Sequence, residues 1–172
     1  MHARRSTWRT ALAGTLVVAG LATGGAAAVA AEPPAADTAQ HRDDRKLIED
    51  QFRQMETGWW NERGPEFAAA FTEDADLVTF NGDYLRTRPV IAERMQYYFD
   101  TYIEKSHIKR LDEHLRFVEP DLAIVVRTTC LVPAGQTGCR AGSDSRNTNV
   151  LLKRHGKWLQ TSFQNTRIDP LP

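Results

Sequence analysis

Apolar residues recur at Ile48, Phe52, Met55 and Trp59, the i, i+4, i+7, i+11 spacing of one helical face. Asp43 and Asp44 precede them, and acidic groups favour the positive end of a helix dipole. The pattern predicts a helix from Asp43 to about Trp60, ended by Gly58 and the Trp59-Trp60-Asn61 run. Pro65 suits the first position of a second, short helix that buries Phe67, Ala68 and Phe71. Thr72-Glu73-Asp74 reads as a turn, and Leu77 to Phe80 as a strand. Asn81-Gly82 is a hairpin signal, with Tyr84 and Leu85 starting the return strand. Pro89 opens a third helix whose apolar face is Ile91, Met95, Tyr98 and Tyr102.

The remaining chain alternates. Strands are predicted over His107 to Val118, Leu122 to Leu131, Arg146 to His155 and Trp158 to Ile168. Glu119-Pro120-Asp121 and His155-Gly156-Lys157 supply tight turns, which favour a meander over a crossover topology. Helices first and hairpin-linked strands afterwards predict an α+β fold with an antiparallel sheet.

The segment before Asp43 changes the reading of composition and charge. Arg4, Arg5 and Arg9 precede the apolar stretch Ala11 to Ala22, and small residues follow from Ala26 to Ala31, the pattern of a secretory signal peptide. Glycines at 14, 20, 24 and 25 interrupt the apolar run, which falls short of the ~20 residues a membrane span needs. We therefore expect a signal peptide over 1–31, a flexible Pro/Ala-rich tether over 32–42 and one folded domain over 43–169. The full chain of 172 residues carries 22 basic and 22 acidic residues. Loss of the leader removes three arginines and no acid, leaving an acidic excess that argues against nucleic acid and anionic membranes as partners. A secreted, extracytoplasmic protein without stable membrane insertion is expected.

An exported chain meets an oxidising compartment, so a structural disulfide is the default reading of Cys130 and Cys139, with free thiols the alternative. No phosphate-binding glycine loop, nucleophile elbow or histidine cluster at metal spacing occurs in the mature part. No cofactor and no metal are expected.

Several stretches resemble the nuclear transport factor 2-like superfamily: Phe67-Ala-Ala-Ala-Phe-Thr-Glu-Asp-Ala-Asp-Leu-Val and on to Gly82, the start of the third helix at Arg88 to Ile91, and Pro120-Asp-Leu-Ala-Ile-Val-Val. The tail Asn147-Thr-Asn-Val-Leu-Leu-Lys-Arg-His-Gly-Lys-Trp-Leu, followed by Phe163-Gln-Asn-Thr-Arg, is most similar to the SgcJ/EcaC branch of the SnoaL-like proteins. The resemblance spans residues 44–168. It implies a cone-shaped roll, with three N-terminal helices on a strongly curved, mostly antiparallel sheet around one pocket. It also implies a homodimer paired through the outer face of the sheet. Relatives range from polyketide cyclases, ketosteroid isomerases and dehydratases to silent binding domains. Branch members are often labelled oxidoreductases, a label for which this chain displays no cofactor site. Ketosteroid isomerases carry an aspartate base where this chain has Thr79, and their tyrosine donor has no counterpart between Asp43 and Trp60, so that chemistry is disfavoured.

Candidate site residues come from the strands and helix faces. His114 is the candidate acid–base group because its ordinary pKa lies near neutrality; the alternative is a solvent-facing strand histidine. Arg127 either binds an anionic or carbonyl-bearing ligand or pairs with Asp112 or Glu113 across the hairpin. Asn149, Gln164 and Asn165 suit the orientation of a neutral polar ligand. Trp59, Tyr98 and Thr79 are candidates for the pocket wall. The expected function is a secreted pocket protein that binds or transforms a small hydrophobic or cyclic molecule. The alternative is a non-catalytic ligand-binding or dimerisation module, because fold does not choose the chemistry.

Overall fold

The computed structural model describes residues 39–169. The expected signal peptide and most of the tether lie outside the described residues. The first helix, α1, runs from Ala39 to Trp60 and so begins inside the stretch expected as tether. His41 stacks on Phe117 with ring centroids 4.3 Å apart, a contact that holds this first turn. Ile48, Phe52 and Met55 of the expected stripe are buried, each contributing on the order of 1.5–3 kcal/mol of transfer free energy.

Gly58 does not end α1. It lies inside the helix, where an added Cβ would sit 2.2 Å from the Phe67 backbone nitrogen. The next helix, α2 (Gly64–Ala68), is pressed against the third, α3 (Arg88–Thr101), in the same way. A Cβ on Gly64 would lie 2.1 Å from the Ala92 carbonyl oxygen. Two glycines thus let three helices approach backbone to backbone.

Strand β1 spans Phe71–Val78, so the turn expected at Thr72-Glu73-Asp74 is instead extended chain. The cause is tertiary: Phe71 pairs with Gln160 and Asp76 with Ser162, with an irregularity between them that accommodates the polar run. Phe71, expected on α2, opens this strand and is fully buried. The Asn81-Gly82 hairpin forms as expected, with Gly82 at φ 91°, and leads into β2 (Tyr84–Arg86).

The last four strands are β3 (Ser106–Glu119), β4 (Leu122–Pro133), β5 (Ser145–Arg154) and β6 (Lys157–Arg167). They form the expected meander, and the six-stranded sheet has the order β2-β1-β6-β5-β4-β3. The β1–β6 pairing is parallel and the others antiparallel. The helices cover one face, and the core beneath them joins Phe52, Met55, Phe67 and Phe71 to Val125, Leu151 and Trp158. Cys130, three residues before the end of β4, is bonded to Cys139 in the following loop, with Cα atoms 5.7 Å apart. Among the described residues no helix is long and apolar enough to cross a membrane.

Candidate functional site

Between the helices and the concave face of the sheet lies a cavity of about 620 Å³, within the usual range for small-molecule sites. Trp59 of α1, Phe67 of α2, Tyr98 of α3 and Phe163 of β6 supply its aromatic wall. Trp59 meets Phe99 edge-on at 5.4 Å and its Nε1 donates to Ser106 Oγ at 3.4 Å.

The sheet supplies a polar floor. Register sets it: Arg127 lies opposite Asn147, and Asn147 opposite Asn165, while Thr129, Ser145 and Arg167 form the next row. A hydrogen-bond chain orients these groups. Asn149 Nδ2 donates to the Val125 carbonyl at 3.1 Å and to Asn147 Oδ1 at 2.9 Å. Asn147 Nδ2 in turn donates to Thr129 Oγ1 at 3.3 Å, which is bonded to Ser145 Oγ at 3.2 Å. The Asn165 amide oxygen is buried without a partner among the described residues.

Arg127 resolves between its two readings through geometry. Its side chain is 3% exposed, and its Nε lies 2.9 Å from Glu113 Oε2 across the β3–β4 pair. Nη1 reaches Glu56 Oε1 of α1 at 3.1 Å, and the guanidinium stacks over Phe52 at 3.9 Å. Arg127 touches the cavity, yet its charge is taken up by carboxylates. Burial pushes the Glu56 carboxyl above its ordinary value, with the Arg127 charge opposing that rise.

At the opening, the β1–β2 turn meets α3. Tyr98 Oη donates to Asp83 Oδ2 at 2.5 Å, and Arg94 Nη2 donates to Tyr98 Oη at 3.4 Å. The Tyr98 hydroxyl holds the Asp83 carboxyl below the ordinary carboxylate value. Burial, then the bond to Asp83, raises the Tyr98 phenol. Thr79 lines the cavity next to this pair, and its Oγ1 accepts from the Asp83 backbone N–H at 3.0 Å.

The sequence-derived candidates therefore divide. Trp59, Thr79, Tyr98, Arg127 and Asn165 line the cavity. Asn149 is fully buried one layer away and acts on the floor through Asn147. His114 and Gln164 do not reach the cavity: His114 pairs with Val126, Val126 with Thr148 and Thr148 with Gln164, a row on the outer face where His114 and Gln164 are exposed. The alternation that puts Glu113 inside necessarily puts His114 outside. Strict alternation along β6 would put Gln160 on the face opposite Phe163, but an irregularity opposite Val150 and Leu151 turns it to the interior, where it is fully buried.

Sequence reasoning missed Asp83, Arg94, Asn147, Arg140 and Arg167 as cavity-lining groups. Asn147 had a signal, the face it shares with Asn149. Asp83 and Arg94 meet only through a contact between a hairpin and a helix, which spacing does not encode. A metal centre is not offered by Cys130, Cys139 and Asp144, whose ligand-type atoms lie within 4.8 Å of one another. Both sulfurs are consumed in the disulfide, leaving no thiolate.

No protein-family model matches the chain, and no curated protein matches it. Solved structures do. A function-unknown protein from Mycobacterium tuberculosis superposes with a TM-score of 0.67 at 17% identity, covering 77% of this chain and 76% of that one. A nuclear transport factor 2-like protein with a cystatin-like fold from Novosphingobium aromaticivorans gives 0.63 at 15%, covering 76% and 85%. These two show the fold. A domain of unknown function with a cystatin-like fold from Nostoc punctiforme gives 0.68 at 33% identity, covering 75% of this chain and 80% of that one. That identity over most of both chains, on one shared roll of helices and curved sheet, places the protein in the same family as the Nostoc domain, within the cystatin-like, nuclear transport factor 2-like fold group.

Proposed function

We propose that this chain is a secreted SnoaL-like pocket protein of the SgcJ/EcaC type that takes a small, largely apolar cyclic molecule into its cavity without a tightly bound cofactor. The observation that carries the reading is the cavity itself: about 620 Å³, aromatic on the helix side and lined by amides and hydroxyls on the sheet side. An apolar ring gains burial against Trp59, Phe67 and Phe163. A donor group on the ring answers the unpartnered Asn165 oxygen.

Asp83 and Tyr98 form the one carboxylate–phenol pair among the described lining residues. A proton transfer between the cavity and a side chain has its best-placed partner there, not at His114. The expected environment outside the cell is supported by the disulfide. The outer face supports pairing with a second copy: Ile124, Val126, Val150 and Leu152 lie half-buried in its centre. A lysine at Val126 is expected to convert a dimer to a monomer in sedimentation velocity.

The test of the pocket is a fluorescence titration with phenylnaphthylamine, a neutral aromatic probe. The wild type is expected to bind it, and the cavity-filling variant Asn165→Phe to bind about tenfold or more weakly. Equal binding by both, with the variant folded by circular dichroism, would contradict the reading. In that case the non-catalytic dimerisation module becomes the better account.

A further inference from the structure

The charged groups of the cavity are unevenly distributed. Its lining contains four arginines (Arg94, Arg127, Arg140 and Arg167) and one carboxylate, Asp83, in a chain whose basic and acidic residues balance. The four cations are not equivalent. Arg127 is 3% exposed and fixed between Glu56 and Glu113. Arg94 lies over the rings of Tyr97 and Tyr98 at 5.0 and 5.1 Å, beside Asp83.

Arg140 and Arg167 differ from both. Arg167 Nη1 donates to the Gly142 carbonyl at 2.8 Å, and its guanidinium lies 4.4 Å from the Phe80 ring centroid. No acidic group lies within 4.0 Å of it among the described residues. Arg140 stands in the same loop as Gly142, tied back by its backbone N–H to the Leu131 carbonyl at 2.8 Å. Its one carboxylate contact is Glu104 at 3.4 Å, with Glu104 74% exposed. Such an exposed pair is weakened by solvent screening, so an incoming anion competes readily with Glu104.

The order of side chains along β6 gives this bias a direction. Facing the cavity in turn are Phe163, packed against the core, then Asn165, then the exposed Arg167. The wall thus passes from apolar, to hydrogen-bonding, to cationic as it approaches solvent. Ser143 and Ser145 add hydroxyls beside the cationic end.

We propose that the cavity selects an amphipathic organic anion, with its ring against Phe163 and Trp59 and its carboxylate or comparable oxyanion between Arg140 and Arg167 at the opening. Guanidinium groups suit planar, two-point recognition of oxyanions. A site at the rim leaves the anion partly hydrated, which avoids the desolvation cost of burying it. The proposal rests on the pocket reading above and adds the charge class of the ligand.

Two probes of the same skeleton separate the two ideas: neutral phenylnaphthylamine and anionic anilinonaphthalene sulfonate, each titrated by fluorescence. The wild type is expected to bind the anion about tenfold more tightly than the neutral probe, the scale of a charge-assisted hydrogen bond. In Arg140→Gln/Arg167→Gln that ratio should collapse toward one, and added salt should no longer change it. The outer-face control Arg146→Gln should keep the wild-type ratio. Both probes binding alike in wild type and double variant would overturn the anion site while leaving the pocket standing. Binding of neither probe would overturn the pocket and the anion site together.

Discussion

Arg127 on β4 is held face-on to the Phe52 ring of α1, 3.9 Å from its centroid, while its Nε lies 2.9 Å from Glu113 on β3. One side chain therefore joins the long helix to the sheet under the cavity. This arrangement gives Arg127 a structural task even though it touches the cavity. Arg127→Ala should leave Glu56 without its ion-pair partner, while Glu113 keeps Arg110 Nη1 at 3.1 Å. Breaking a buried pair costs roughly 3–5 kcal/mol. The lower end applies here because Glu56 and Glu113 are 28% and 25% exposed. Urea unfolding of wild type and variant measures the loss. A change within experimental scatter would show that the cluster contributes nothing to stability.

The Asp83–Tyr98 bond predicts a pH signature. Tyr98 holds the Asp83 carboxyl below its ordinary value, so the stabilising contribution is present above the unfolded-state pKa and is lost as pH falls through the lower folded value. Tyr98→Phe should let the Asp83 pKa rise toward the ordinary carboxylate value, read by carboxyl NMR titration. An unchanged Asp83 titration in that variant would remove the phenol as the cause.

The Cys130–Cys139 bridge closes a short loop, with a sequence separation of 9. The paired change of both cysteines to serine should cost roughly 2–3 kcal/mol in the loop-entropy account. A reducing agent should lower the wild-type melting temperature and leave the variant's unchanged. Equal sensitivity of both proteins to reductant would contradict the bridge.

Gly64 lies where a Cβ would come within 2.1 Å of the Ala92 carbonyl oxygen. Backbone cannot yield as a flexible side chain would, so Gly64→Ala should destabilise by about 1–3 kcal/mol. Gly82→Ala provides a contrast. It has open space around it and costs only the strain of its positive φ. Thermal unfolding that ranks Gly82→Ala far below Gly64→Ala would contradict the close helix contact.

What the sequence made legible follows physical range. The helical stripe Ile48, Phe52, Met55 and the Asn81-Gly82 turn are local patterns, and both formed as read. The meander β3–β6 was equally local, because its turns lie between neighbouring strands. The parallel β1–β6 pairing joins distant segments, and it drew Thr72 to Asp74 into a strand that their turn-like composition concealed. Alternation places Asn147 with Asn149 on β5 and Glu113 opposite His114 on β3, but it does not say which set faces the helices. Only the packing of α1 decided that, through Glu56 and Arg127. Asp83 with Tyr98 and Arg140 with Arg167 lay beyond any spacing rule, since each pair spans separate elements.

The most direct test is a crystal structure of the protein soaked with phenylnaphthylamine. The ring system should lie inside the cavity, between Trp59 and Phe163, with its amine within hydrogen-bond distance of the Asn165 oxygen. A probe found on the outer face of the sheet beside Val126, with the cavity unchanged, would contradict this placement.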